Sequence, residues 1–222
     1  MKTDLKNTTF IIPLRIDTGD RLRNVILSTS YLLHHFDTTV MIKEVDSEHR
    51  FEEFALPIIK RLVNTDNLIH VFQDDYRDDD AFHRTKVLND MVMESTTDVV
   101  VNYDTDLILP ISSYTQAVEM LGGEYDVVYP YRFGNHAERK VNMPFTIETQ
   151  EDMNGFESIN WVNKFIESEY SCDCLDEHFF YYQSPSGEGY GEYGMVQFFD
   201  RQVYIDGGLE NEGFIAYAPE DV

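Results

Sequence analysis

Short β-branched apolar runs alternate with stretches of helical periodicity from Thr8 to Pro110, and no other feature constrains the fold as tightly. The runs are TTFIIPLR (8–15), TTVMIKEVD (38–46), NLIHVFQDD (67–75) and DVVVNYDTDLILP (98–110). Between them lie DTGDRLRNVILSTSYLLHHF (17–36), FEEFALPIIKRLVN (51–64) and FHRTKVLNDMVMES (82–95). In the first of these, Asp17, Thr18 and Gly19 supply turn and cap chemistry, and Leu22, Val25, Ile26, Thr29, Leu32, Leu33 and Phe36 recur at helical spacing. Pro57 is expected to kink the second helix, and Pro13 to end the first strand. Strand and helix in strict alternation predict a doubly wound α/β layer around a mostly parallel sheet.

Beyond Pro110 the alternation weakens. SYTQAVEMLGG reads as one more helix stopped by Gly122 and Gly123, and EYDVVYPYR as a strand. A mixed polar stretch follows, with an amphipathic helix expected around Phe156–Ile166. Then come the loop SPSGEGYGEYG and a return to strand character in MVQFFDRQVYIDGG. One domain with a smaller C-terminal subregion fits this layout better than two independent domains. The loop has glycines for mobility and tyrosines to stack on a ring; lid and plain surface turn both remain open. Trp161 reads as core.

Charge limits the partners. The net charge is -24, yet residues 1–61 carry nine Lys/Arg and nine Asp/Glu, so the whole excess lies beyond Arg61. Nucleic acid is not an expected partner, because binding its phosphates requires a basic face. An anionic ligand would approach the neutral first part, or would need a cation to bridge it to the acidic part. The two cysteines, Cys172 and Cys174, are one residue apart and offer no disulfide framework. With no apolar run long enough to span a membrane and no secretory signal, a cytoplasmic setting is expected.

The fourth run poses the chemical question. VVVNY is an apolar strand that stops at Asp104 and Asp106. In an open parallel sheet, ligands bind outside the carboxyl ends of the strands. Two carboxylates one residue apart at that edge can share a hard divalent cation, Mn2+ or Mg2+, together with substrate phosphate oxygens. A plain turn cap is the competing reading.

The C-terminal stretch YIDGGLENEGFIAYAPEDV adds a second motif. With the strand-borne Asp-x-Asp, it resembles the nucleotide-sugar-dependent glycosyltransferases of the GT-A fold, galactosyltransferase-like and chondroitin-polymerase-like. Those members follow the Asp-x-Asp with Gly-Gly, an acidic-aromatic stretch and a Trp-Gly-x-Glu-Asp segment. The matching residues here are Gly207 and Gly208, then Asn211, Glu212 and Phe214, then Tyr217 to Asp221. YAPED keeps the aromatic and the Glu-Asp but not the glycines. The chain stops at Val222, where such enzymes continue with a helix and often a metal-completing histidine, so a truncated C-terminus is expected.

The resemblance implies a GT-A, Rossmann-like sheet flanked by helices in a single domain over 1–222. Residues 1–110 would bind the nucleotide-sugar and 111–222 form the acceptor side. It implies a metal-dependent, inverting transfer from a nucleotide-sugar, a UDP-sugar foremost, to a carbohydrate or other hydroxyl acceptor. Asp104 and Asp106 would hold the metal. Pro13, Arg15, Glu44, Arg84 and Lys86 would meet the nucleotide with Asp104, and Arg21 and Arg23 lie near as further cations. Glu44 would contact the base, and Asp221, with Glu220 beside it, would be the general base. Solvated helix faces remain the competing reading for Arg84 and Lys86. A nucleotidyltransferase remains an alternative, although PLRIDTGDRLR has one glycine where that class carries a glycine-rich loop. A non-catalytic nucleotide-sugar or carbohydrate binder of the same fold is the third.

Overall fold

The computed structural model describes residues 2–74, 82–105, 108–109, 111–121, 125–130 and 196–214. Six strands form one sheet: β1 (Thr3–Leu14), β2 (Phe36–Asp46), β3 (Leu68–Asp74), β4 (Val99–Tyr103), β5 (Val127–Val128) and β6 (Val196–Asp200). Their order is β3-β2-β1-β4-β6-β5. The pairs β1/β2, β1/β4 and β2/β3 are parallel; β6 runs antiparallel to both β4 and β5. The sheet is therefore mostly parallel, as the alternation predicts, with β6 alone reversed. Strands from both sides of residue 110 build it.

The helices are α1 (Gly19–His35), α2 (Leu56–Leu62), α3 (Arg84–Glu94), α4 (Ile111–Leu121) and α5 (Arg201–Asp206). Thr18 caps α1, its side chain accepting from the Arg21 amide at 3.2 Å. A π-helical turn, Phe51–Ala55, runs directly into α2. The change of winding coincides with Pro57, which has no N–H for the next backbone bond and fits the first turn of a helix. This replaces the expected kink inside one continuous helix.

Three other expectations are corrected. β1 runs on through Pro13, which pairs with Lys43. Pairing with β4 has ended by then, at Ile11 opposite Asn102, so the strand has one neighbour at Pro13 and the missing donor is tolerated. The fourth strand ends at Tyr103 and does not resume after the aspartates; Ile108 and Leu109 are buried outside any strand. RQVYID is helix, not strand. Asp200 caps it by accepting from the Val203 amide at 3.0 Å, and Gly207 follows its last turn.

The alternation of the strands gives the sheet two buried faces. One, under α1, α2 and α4, holds Phe10, Ile12, Phe36, Val101, Tyr103 and Phe198. The other, under α3, holds Ile11, Met41, Val45, Val100 and Phe199 against Val87, Leu88, Met91 and Val92. Among the described residues no helix is long and apolar enough to cross a membrane. The expected helix around Phe156–Ile166, the glycine-tyrosine loop, Trp161, Cys172 and Cys174 lie outside the described residues.

Candidate functional site

From β1 the chain builds outward to β2 and β3, then crosses back to place β4 on the other side of β1. The carboxyl ends of β1 and β4 therefore flank a topological switch point, where an open α/β sheet leaves a crevice. Two residues beyond the last paired step, Ile11 opposite Asn102, β1 reaches Pro13 and the chain leaving β4 reaches Asp104. Both sit at this edge.

Asp104 is held there. Arg84, the first residue of α3, donates from Nη2 to Asp104 Oδ1 at 2.9 Å. The arginine side chain is 14% exposed and the carboxylate 37%. The segment after Asp104 is tied down at its far end. The Leu109 amide donates to the Tyr114 hydroxyl at 3.0 Å, and Tyr31 donates to the Leu109 carbonyl at 3.1 Å. Tyr103 and Tyr114 share a hydrogen bond at 2.9 Å. Burial, with the Tyr103 hydroxyl beside it, pushes the Tyr114 phenol well above its ordinary range, so this anchor stays neutral.

Arg15 reaches the same edge from the end of β1. Its guanidinium lies 5.5 Å from the centre of the Phe82 ring, and Nε donates to the Val45 carbonyl at 3.2 Å. Arg21 stands beside it, donating to the Arg15 carbonyl and pairing with Asp17 at 3.3 Å, whereas Arg23 is buried on α1.

Two other expected nucleotide contacts, Glu44 and Lys86, have protein partners of their own. Glu44 is fully buried at the end of β2. Its carboxylate accepts from the Phe51 amide at 2.7 Å and meets His70 Nε2 at 3.2 Å, so it fastens the π-helical turn to the sheet. Lys86 lies on the outer side of α3, 51% exposed, 3.7 Å from Asp90 one helical turn on. A one-residue step from Arg84 is about 100° around a helix and a two-residue step about 200°, which carries Lys86 away from the edge. Asp106, Glu220 and Asp221 lie outside the described residues.

A polar network joins this edge to the C-terminal stretch, linking the motif residues Glu212 and Phe214 to Asn89 and Thr85, which no sequence motif singles out. Asn89 of α3 donates to the Glu210 carbonyl at 2.9 Å and accepts from the Glu210 amide at 2.9 Å. It also donates to Glu212 at 3.1 Å, and Thr85 donates to the Phe214 carbonyl at 3.1 Å. Gly208 (φ 99°) and Leu209 (φ 64°) turn the backbone through the left-handed region, which brings Glu210 onto α3. The Tyr204 hydroxyl donates to Glu210, and Asn102 Nδ2 lies 3.4 Å from that hydroxyl and 3.3 Å from Gln197. Burial, reinforced by Glu210, pushes the Tyr204 phenol far above its ordinary value, so it acts as a donor. One signal was available: Asn102 is a lone amide inside VVVNY.

Asp104 offers hard oxygen donors of the kind Mn2+ and Mg2+ prefer. No group of three His, Cys, Asp or Glu able to hold a metal occurs among the described residues.

The chain matches no protein-family model and no curated protein. Among solved structures it is similar to the mannosyltransferase PcManGT from Pyrobaculum calidifontis, in complex with GDP-Man and Mn2+. The identity is 13%, the TM-score 0.51, and the match covers 93% of this chain and 48% of that one. It is likewise similar to S. aureus TarS 1-349, at 12% identity and a TM-score of 0.52, over 100% of this chain and 53% of that one. The chain thus spans about half the length of the structures it matches. At such identities the likeness concerns the fold alone: a mostly parallel six-stranded sheet flanked by helices, shared with these two structures.

Proposed function

We propose that this chain transfers a sugar from a nucleoside-diphosphate sugar to an acceptor hydroxyl, with a divalent metal and with inversion at the anomeric carbon. The observation that carries this reading is Asp104, a half-exposed carboxylate that leaves β4 at the switch point with Arg84 on it. Asp104 and Asp106 would hold Mn2+ or Mg2+, with substrate phosphate oxygens completing the shell. The metal, when bound, supplies Lewis-acid stabilisation of the leaving diphosphate. Arg15 and Arg84 would meet the nucleotide from the ends of β1 and the start of α3, and Pro13 would lie against the nucleoside. Asp221, with Glu220 next to it, would take the proton from the acceptor hydroxyl as its oxygen attacks. The docking of residues 210–214 on α3 supports delivery of this segment to the metal edge. UDP is the donor base that the sequence motifs favour. The GDP-Man in PcManGT favours GDP as the second reading.

Calorimetric titration of UDP, GDP and CDP with and without Mn2+ tests the proposal. Metal-dependent binding of one of them is expected. Asp104→Ala is expected to abolish it with the melting temperature preserved, and Asp221→Asn to leave it unchanged. Asp104→Ala binding as tightly as the parent would refute the metal assignment.

A further inference from the structure

We propose that Arg84 and a divalent cation compete for the Asp104 carboxylate, and that Arg84, once displaced, turns to the donor diphosphate. This rests on the reading of Asp104 as a metal ligand. The observation is the 2.9 Å contact from Arg84 Nη2 to Asp104 Oδ1, made by an arginine only 14% exposed. A guanidinium on that oxygen withdraws donor strength from it, and its charge repels a divalent cation on the same carboxylate. In a chain with net charge -24, this pairing keeps Asp104 compensated until the cation arrives.

The location of Arg84 gives it a second use. It begins an 11-residue helix whose first turn carries no acidic side chain and whose N-cap, His83, makes no side-chain cap bond among the described residues. The amides there favour an anion, and a cation gains nothing from the helix dipole at that end. A diphosphate reconciles the two positive groups, because it offers oxygens to both. The cation and the nucleotide should then strengthen each other's binding, and by linkage each by the same factor.

The test reads Mn2+ and nucleotide binding, not turnover. Mn2+ is titrated by electron paramagnetic resonance with and without UDP or GDP, in the parent, Arg84→Gln, Arg84→Lys and the remote surface control Lys60→Gln. Arg84→Gln is expected to bind Mn2+ alone about five- to tenfold tighter, the range between an exposed ion pair and a partly buried one. The same variant should bind the nucleotide with Mn2+ about tenfold more weakly, so the two effects have opposite signs. Arg84→Lys should fall between, because lysine keeps the charge and loses the planar fork. Lys60→Gln should match the parent. A parent that binds neither Mn2+ nor nucleotide overturns the metal reading and this exchange with it. A parent that binds both, beside an Arg84→Gln that takes Mn2+ no tighter, overturns the exchange alone. Should Arg84→Gln fail to fold, Arg84→Lys decides: Mn2+ affinity equal to or below the parent's overturns the proposal.

Discussion

The two faces of the sheet are built differently. Under α1 and α4 the face is aromatic: Phe10 meets Phe36, Tyr103, Tyr114 and Phe198, with ring centroids 5.6–6.5 Å apart. Its tyrosine hydroxyls are internally satisfied, as Tyr31 and Tyr114 both close on Leu109 and Tyr103 pairs with Tyr114. Under α3 the apolar patch is smaller and gives way, toward the carboxyl edge, to Asn102, Gln197, Asn89 and Tyr204. The contrast follows from alternation along β4. Val99, Val101 and Tyr103 point to one side, and Val100 and Asn102 to the other. A buried amide has a fixed hydrogen-bond geometry, whereas a buried ring has volume. One face therefore sets stability, and the other fixes where a loop sits.

Phe10→Ala should break this division most visibly. Phe10 is fully buried at the centre of four rings, and removing it leaves a cavity that backbone-anchored neighbours cannot fill. A loss of about 3–5 kcal/mol in denaturant midpoint analysis is expected. A loss under about 1 kcal/mol would mean that the aromatic face is not the stabilising one.

Asn89→Ala probes the opposite face. The substitution removes both bonds to the Glu210 backbone and the one to Glu212. The loop is partly exposed, so water replaces most of what is lost, and a global cost of about 1 kcal/mol is expected, or about 2–4 °C in melting temperature. Locally the effect should be larger. Amide exchange at Glu210 should accelerate while the amides of β4 keep their protection. Equal acceleration in both places would show that the polar face belongs to the global core.

What the sequence made legible divides along the same line. The strands β1 to β4 and the helices α1 and α3 follow from local periodicity, because each apolar residue reports its own burial. Asp104 was legible as a carboxylate at the end of an apolar strand. The helix α5 was not, since Val203 and Ile205 alternate as a strand would, and only the Asp200 cap and Gly207 mark it. The first residues of β1 were hidden for a different reason: Thr3 to Asn7 are mostly exposed and polar, and only Thr3 and Asp4 pair with β2 before a register shift. The surroundings of Glu44 were not legible because other elements set them. Its partners, Phe51 and His70, stand 7 and 26 residues further along the chain. No local pattern announces the Asn89–Glu210 pairing, whose members stand 121 residues apart.

The smallest expected effect concerns His35, an ionisable base at the rim of the aromatic face. His35 ends α1, its ring 4.5 Å from Tyr31 and 4.7 Å from His34. Its Nε2 is buried with no hydrogen-bond partner among the described residues. Burial, with His34 adding like-charge repulsion, lowers its pKa from 6.5 to about 4. The sign follows from linkage: above pH 6.5 the imidazole is neutral in both states and contributes no pH dependence. Below that the unfolded chain takes up the proton first, so stability falls with pH until the folded ring protonates near pH 4. The ring is only half-buried and therefore screened, which limits the loss between pH 6.5 and 5 to about 1 kcal/mol. His35→Phe keeps a ring against Tyr31 and removes the proton site. Its melting temperature should fall less than the parent's between pH 7.5 and 5, a window in which most carboxylates remain ionised. An identical fall in both chains would assign the acid sensitivity to other groups and leave the aromatic face pH-inert.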